Sequence, residues 1–210
     1  MARPRKPLRR SARDSRAAVL AAAAAEFAER GYDAARVDRI AARAGLNKAM
    51  LYYHFGSKRA VYLEVLRDVI TTLGRSARAI ADGPGTAPAK LDAWIATIVE
   101  EAGARPWFPP IMLREIASGA SHLDPDTFGQ MNAVFAAVRD VIVQGQREQV
   151  FRDADPLLTH LTIMPPVLIF FARQRLVAST RGMRELAAPR QVADFVRHMQ
   201  ASARGMLRKD

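Results

Sequence analysis

The sequence predicts an all-α fold. Apolar residues recur at three- and four-residue spacing through most of the chain, and no alternating strand pattern of useful length interrupts them. Helix-start and helix-stop residues fall where those periodic stretches begin and end. There is no internal repeat. The expected architecture is an N-terminal three-helix unit containing a helix-turn-helix, then a long helix leading into a C-terminal helical domain.

The first helix is predicted over Arg13–Arg30. Ala21–Ala25 has the best intrinsic helix propensity, Val19, Ala23 and Phe27 share one stripe, and Gly31 terminates it. Two short helices follow within Val37–Lys58. Val37, Ile40, Ala41 and Ala44 give the first an apolar face, and Gly45 supplies the freedom a sharp exit needs. Leu46 and Leu51 anchor the second, and Phe55 is expected in the core. Ser57 is the expected N-cap of a long helix from Lys58 to about Ile80, with Val61, Val65, Leu66, Val69 and Leu73 on its inner face. The run Asp82–Pro88 breaks the pattern. The domains are therefore expected to be 1–12, a flexible basic arm; 13–80, the helix-turn-helix unit with its connecting helix; and 81–210, the second helical domain.

In that second domain Leu91, Trp94, Ile95, Ile98 and Val99 mark one helix, and Ile111, Met112, Glu115 and Ile116 another after the Pro106–Pro110 turn. Asp124-Pro125 and Asp155-Pro156 each pair an N-cap residue with proline at the first helical position. The first of these opens a helix through Phe128, Met131, Val134, Phe135, Val138 and Ile142. The second opens a helix to about Ser179 that contains Pro165-Pro166, which should kink or break it. Ala188-Pro189 opens the last helix, with Val192, Phe195, Val196, Met199 and Met206 along one side.

Composition narrows the functions available. Half of the 210 residues are apolar, so the chain can bury a sizeable core. There are no cysteines, which removes disulfides, thiol catalysis and cysteine-ligated zinc. The four histidines, His54, His122, His160 and His198, show no metal-ligand spacing, and phosphate loops and nucleophile elbows are absent. No metal, cofactor or enzymatic activity is expected. No apolar run reaches the ~18 residues a membrane span needs, the longest candidate being Leu161–Ala172, and no secretion segment opens the chain. A cytoplasmic protein without membrane contact is the simplest reading.

Charge is unevenly placed. The formal net charge is +11, and residues 1–82 hold 17 Lys/Arg against 8 Asp/Glu, leaving 15 and 13 for the remainder. Concentrated positive charge favours nucleic acid through counterion release; alone, it also describes a solubilising surface. The basic arm can reach a minor groove or thicken a phosphate-binding surface. The helix pair inside the basic segment tips the reading toward DNA, because a helix-turn-helix presents its second helix to the major groove. Lys48 can donate to guanine, and Asn47 can pair with adenine or donate to a phosphate. Ala49 permits close approach and contact with a thymine methyl. Tyr52, Tyr53 and His54 sit one turn later, where they can bond phosphates. Arg36 at the entry of the first short helix and Lys58 at the start of the long one add cations near helix N-termini.

At these residues the chain resembles the TetR family of bacterial transcription regulators. The resemblance rests on Ala24-x-x-Phe27 with Gly31-Tyr32, Ile40-Ala41-x-x-Ala44-Gly45, and Leu51-Tyr52-Tyr53-His54-Phe55-x-x-Lys58. It covers about residues 13–60; beyond Ile80 it is architectural. It implies a homodimer on a palindromic double-stranded operator, usually a repressor released by a small molecule. It also implies base contacts at Lys48 and Ala49, and mainly phosphate contacts at Tyr52, Tyr53, His54 and Lys58. Arg36, Ala49 and Met50 depart from the small hydroxyl, glycine and hydroxyl residues common at their positions.

The same resemblance implies that the last two long helices pair across the dimer, with Leu157, Leu161, Leu168, Phe171, Phe195 and Met199 as interface candidates or, equally, intramolecular core. A small, apolar or aromatic effector would be lined by Trp94, Trp107, Phe108, Met112, Met131, Phe135, His160 and Phe170, each of which also reads as ordinary core. The alternative function is a DNA-binding factor whose C-terminal domain serves only dimerisation or a protein partner.

Overall fold

The computed structural model describes residues 12–179 and 189–209. The basic arm therefore lies outside the described residues except for Ala12. Among the described residues the secondary structure is helical: α1 (Ala12–Ala34), α2 (Val37–Ala44), α3 (Lys48–Phe55), α4 (Lys58–Asp82), α5 (Ala87–Ala104), α6 (Phe108–Ala117), α7 (Pro125–Arg147), α8 (Pro156–Ser179) and α9 (Pro189–Leu207). One isolated bridge joins Phe151 and Arg208.

Two compact units divide the chain at Val65/Leu66, inside α4. The break at Asp82–Pro88 is the better composition signal, yet it is not where the packing divides. Val61, Tyr62 and Val65 are buried with the first unit, and an unbroken helix carries no mark of such a change of surroundings.

In the first unit α1, α2 and α3 pack pairwise. Val19, Ala23 and Phe27 of α1 are buried as the stripe predicts, together with Val37, Ile40, Ala41 and Ala44 of α2. Gly31, at φ 75° and ψ 171°, takes the chain out of helical geometry before α1 formally ends. Just beyond it Tyr32 joins Phe27 and Tyr62 in an aromatic cluster, with Tyr62 edge-on to both at 4.8–4.9 Å between centroids. Phe27 and Tyr62 are fully buried, each contributing about 1.5–3 kcal/mol of transfer free energy, while Tyr32 is half-buried. Phe55 is only half-buried, with the Arg16 guanidinium 4.9 Å from its ring centre, a correction to its expected core position.

In the second unit α5 packs on α7, α8 and α9, while α8 also meets α6 and α7. Leu91, Trp94, Ile95, Ile98, Ile111, Val138, Ile142, Ile163, Val167 and Leu168 fill the core. Both predicted Asp-Pro starts form: Asp124 Oδ1 accepts from Thr127 N at 2.9 Å, and Asp155 Oδ1 from Leu157 N at 2.7 Å. Phe128 and Ile116 are half exposed instead of facing inward. Lys90 is buried, donating to Ala81 O at 2.8 Å and Gln144 Oε1 at 2.9 Å, so it caps the C-terminal end of α4.

Pro165-Pro166 does not break α8, which is helical from Pro156 to Ser179. The two prolines delete the donors that Leu161 and Thr162 carbonyls would use. Burial of Ile163, Val167, Leu168 and Phe171 on both sides of the pair favours a continuous helix. The same helix corrects one expectation, that no run is long and apolar enough for a membrane span. Pro156–Gln174 has a mean hydropathy of 1.3 and is long and apolar enough to cross a membrane by length and composition, because its His, Thr and Pro interrupt the run without lowering the average enough.

Candidate nucleic-acid interface

The turn between α2 and α3 is set by Gly45 at φ 69°, ψ 33°. Gly45 N donates to Ala42 O at 3.1 Å and Leu46 N to Ala41 O at 2.9 Å, the paired bonds of a Schellman ending. The chain then re-enters a helix at Asn47, whose side-chain oxygen accepts from Met50 N at 2.8 Å. Asn47 is thus the N-cap of α3, with its amide N–H groups left to donate. Eight residues cannot hold a helix in water unaided. α3 is anchored by Leu51, which is fully buried.

With the anchor pointing inward, four side chains of α3 face solvent, while Met50, His54 and Phe55 are half-buried. Lys48 and Ala49 are exposed, Tyr52 is 41% exposed and Tyr53 81%. Arg36, the N-cap residue of α2, is exposed and its side chain makes no cap bond. His54 differs from these: its Nε2 is buried without a hydrogen bond, and its ring lies edge-on between Tyr53 and Phe55. Packing, more than outward reach, is what the structure gives His54.

Two lysines sit differently from what their sequence positions suggest. Lys58 Nζ donates to the carbonyls of Tyr32 (2.7 Å), Ala35 (3.1 Å) and Asp33 (3.3 Å), and lies 4.4 Å from the centre of the Tyr32 ring. An ammonium has three protons, and three carbonyls take them. Lys58 therefore ties the start of α4 to the chain leaving α1. Lys48 Nζ lies 3.0 Å from Asp38 Oδ1 and 3.4 Å from Oδ2. The hydrogen bond and charge of Asp38 hold the Lys48 pKa above its ordinary value, so Lys48 is a cation throughout the physiological range. Asp38 escaped the sequence reading because its partner lies across the turn.

The residues named for an effector pocket are distributed over α5 to α8. Trp94, Phe108, Met112 and Phe170 are buried, while Trp107, Met131, Phe135 and His160 are half-buried. Phe135 and His160 come together edge-to-face at 5.5 Å between centroids. Phe170 instead stacks on Phe195 at 3.9 Å. Burial lowers the His160 pKa from its ordinary 6.5, so the folded chain holds this imidazole neutral. Unfolding releases it to protonate at its ordinary value. Its contribution to stability is therefore complete above pH 6.5 and declines as pH falls through 6.5 toward the lowered folded value. His160→Gln should flatten the fall in melting temperature measured between pH 7 and pH 5; an unchanged fall would remove His160 as its source.

Of the dimer candidates, Leu168, Phe171 and Met199 are buried within the chain, which is the intramolecular-core alternative for these three. Phe195 and Met199 border a groove of about 320 Å³ between α8 and α9. Leu157 and Leu161 are half exposed, and with Pro165 and Ile169 they follow a four-residue spacing along α8. Sequence periodicity could not make this separation, because α8 is apolar on both sides.

A capped, singly anchored short helix, set by a tight turn against α2 and exposing lysine and tyrosine, defines the class: a helix-turn-helix DNA-binding regulator. The chain matches the family model "Bacterial regulatory proteins, tetR family" over residues 19–65. It is 31% identical over 145 residues to the HTH-type transcriptional repressor SCO4008 of Streptomyces coelicolor, covering 68% of this chain and 70% of that one. It is 50% identical over 62 residues to the transcriptional activator FasR of Mycolicibacterium smegmatis, a match covering 29% of this chain and 28% of the relative. Among solved structures, the ketosteroid transcriptional regulator KstR2 of Mycobacterium tuberculosis aligns with a TM-score of 0.75 and 26% identity, over 93% of this chain and 95% of that one. The chain belongs to the TetR family and is a DNA-binding transcriptional regulator.

Proposed function

We propose that the chain acts as a homodimer on a palindromic operator, reading bases with Lys48 and Ala49 and holding the backbone with Arg36, Asn47, Tyr52 and Tyr53. The observation that carries this reading is the outward face of α3: Leu51 is buried while Lys48, Ala49, Tyr52 and Tyr53 remain in solvent. The stripe Leu157, Leu161, Pro165 and Ile169 on α8, exposed at all but Pro165, supports a second copy as its cover. Repression is the favoured direction, in keeping with the name of the relative that shares the longer alignment.

Release by a small apolar or aromatic effector is the regulatory half of the proposal. It is supported by Trp94, which is 2% exposed and whose indole N–H makes no hydrogen bond. A buried donor without a partner is unusual enough to call for an acceptor. The KstR2 neighbour is named as a ketosteroid regulator, and a flat ligand with a carbonyl would offer one.

Binding of the full-length chain to a random duplex pool tests the DNA half. Arg36→Ala should weaken binding to all enriched sequences alike and lower the slope of log K against log salt by about 0.9. Tyr52→Phe should weaken them alike as well, and Lys48→Ala should change which sequences are enriched. A Lys48→Ala variant that loses affinity equally for every sequence would refute the base-reading role.

A further inference from the structure

Asp38 is an acidic side chain on the basic unit, beside the helix that the reading above turns toward DNA. Its side chain is 69% exposed, and both of its oxygens face the Lys48 ammonium, at 3.0 and 3.4 Å. A carboxylate so close to a polyanion is repelled by it, so an electrostatic role in affinity has the wrong sign. Its structural worth is small as well: an exposed ion pair and a place in the first turn of α2 each contribute little stability. The pair is better matched to a hydrogen-bonding task in the groove.

We propose that Asp38 and Lys48 act together as one reader of a single G·C base pair in each half-site. This rests on the operator-binding reading of α3. In a G·C pair the guanine O6 accepts from the cytosine N4 amino group, so the two atoms lie about 2.9 Å apart. Each keeps capacity toward the major groove: a lone pair on O6 and the second hydrogen on N4. Lys48 Nζ and Asp38 Oδ1 present a donor and an acceptor 3.0 Å apart. Laid edge to edge, Nζ–H donates to O6 while N4–H donates to Oδ1. The ion pair need not break, since the ammonium has three protons and the carboxylate several lone-pair sites. Lysine alone would accept other groove acceptors in place of guanine, such as thymine O4. The carboxylate adds the demand for a donor beside it, which rejects C·G and A·T in that orientation. A T·A pair offers the same O4 and N6–H groups, and a further Nζ proton given to guanine N7, where thymine carries its methyl, separates G·C from it.

The test is selection of enriched sequences from a random duplex pool by the full-length chain, followed by affinity measurement on the enriched site and its single-base variants. The wild type is expected to enrich a G·C pair at one position per half-site. Asp38→Ala should lower the preference for that pair about ten-fold, within the range typical of one base contact. Its affinity for the remaining sequences should rise as the negative charge is removed. Asp38→Asn keeps an acceptor oxygen and should retain part of the preference. Lys48→Met should lose the preference at the same position, and adding Asp38→Ala to it should cost no further discrimination. Circular dichroism and melting curves establish that each variant is folded. An Asp38→Ala chain that binds more tightly but keeps the wild-type preference would overturn the proposal and leave operator binding intact. A wild-type chain that enriches no sequence overturns operator binding, and this proposal with it.

Discussion

Leu51→Ala is expected to abolish DNA binding while leaving the C-terminal unit folded. Leu51 is fully buried and is the buried anchor of the eight-residue α3. Truncating such a leucine typically costs about 2–5 kcal/mol. For a helix this short the loss falls on one element, because α3 has no length of its own to fall back on. Hydrogen exchange followed by mass spectrometry should show fast exchange across residues 37–58 and unchanged protection in α5 and α7. Wild-type protection of α3 in this variant would mean that its cap and neighbours hold it without the leucine.

Lys58→Met is expected to lower stability by about 2 kcal/mol, since it strips a charged donor from three carbonyls that fold around it. Binding to DNA should weaken with it, but the salt slope of the residual binding should stay at the wild-type value. A phosphate-contacting lysine would behave in the opposite way, lowering the slope by about 0.9 with little effect on melting. The two outcomes separate an ammonium that assembles the unit from one that grips the backbone. The geometry favours assembly.

Much of the DNA-binding unit was legible because its signals are local. The stripe Val37, Ile40, Ala41, Ala44 is buried as its spacing predicts, and Gly45 makes the turn that only a left-handed residue allows. Ser57 caps α4 by accepting from Ala60 N at 3.0 Å. What was not legible depends on contacts distant in sequence. Lys58 and Lys48 are both lysines at helix starts, and nothing nearby in sequence tells a cation committed to Tyr32, Asp33 and Ala35 from one paired with Asp38. The division of packing inside α4 leaves no compositional trace. In α8 the apolar content is too high for periodicity to separate Leu168 and Phe171, which are buried, from Leu157 and Leu161, which are not.

The account's central claim is that two copies of α3 read one palindromic site. Footprinting the full-length chain on its enriched duplex tests this most directly. The account predicts two protected half-sites of inverted sequence, their centres about one helical turn, 10–10.5 base pairs, or a multiple of it apart. Within them, Lys48→Ala should shift the base preference without moving the protected edges. Protection spread evenly along the duplex, with no preferred sequence and no dyad, would contradict it.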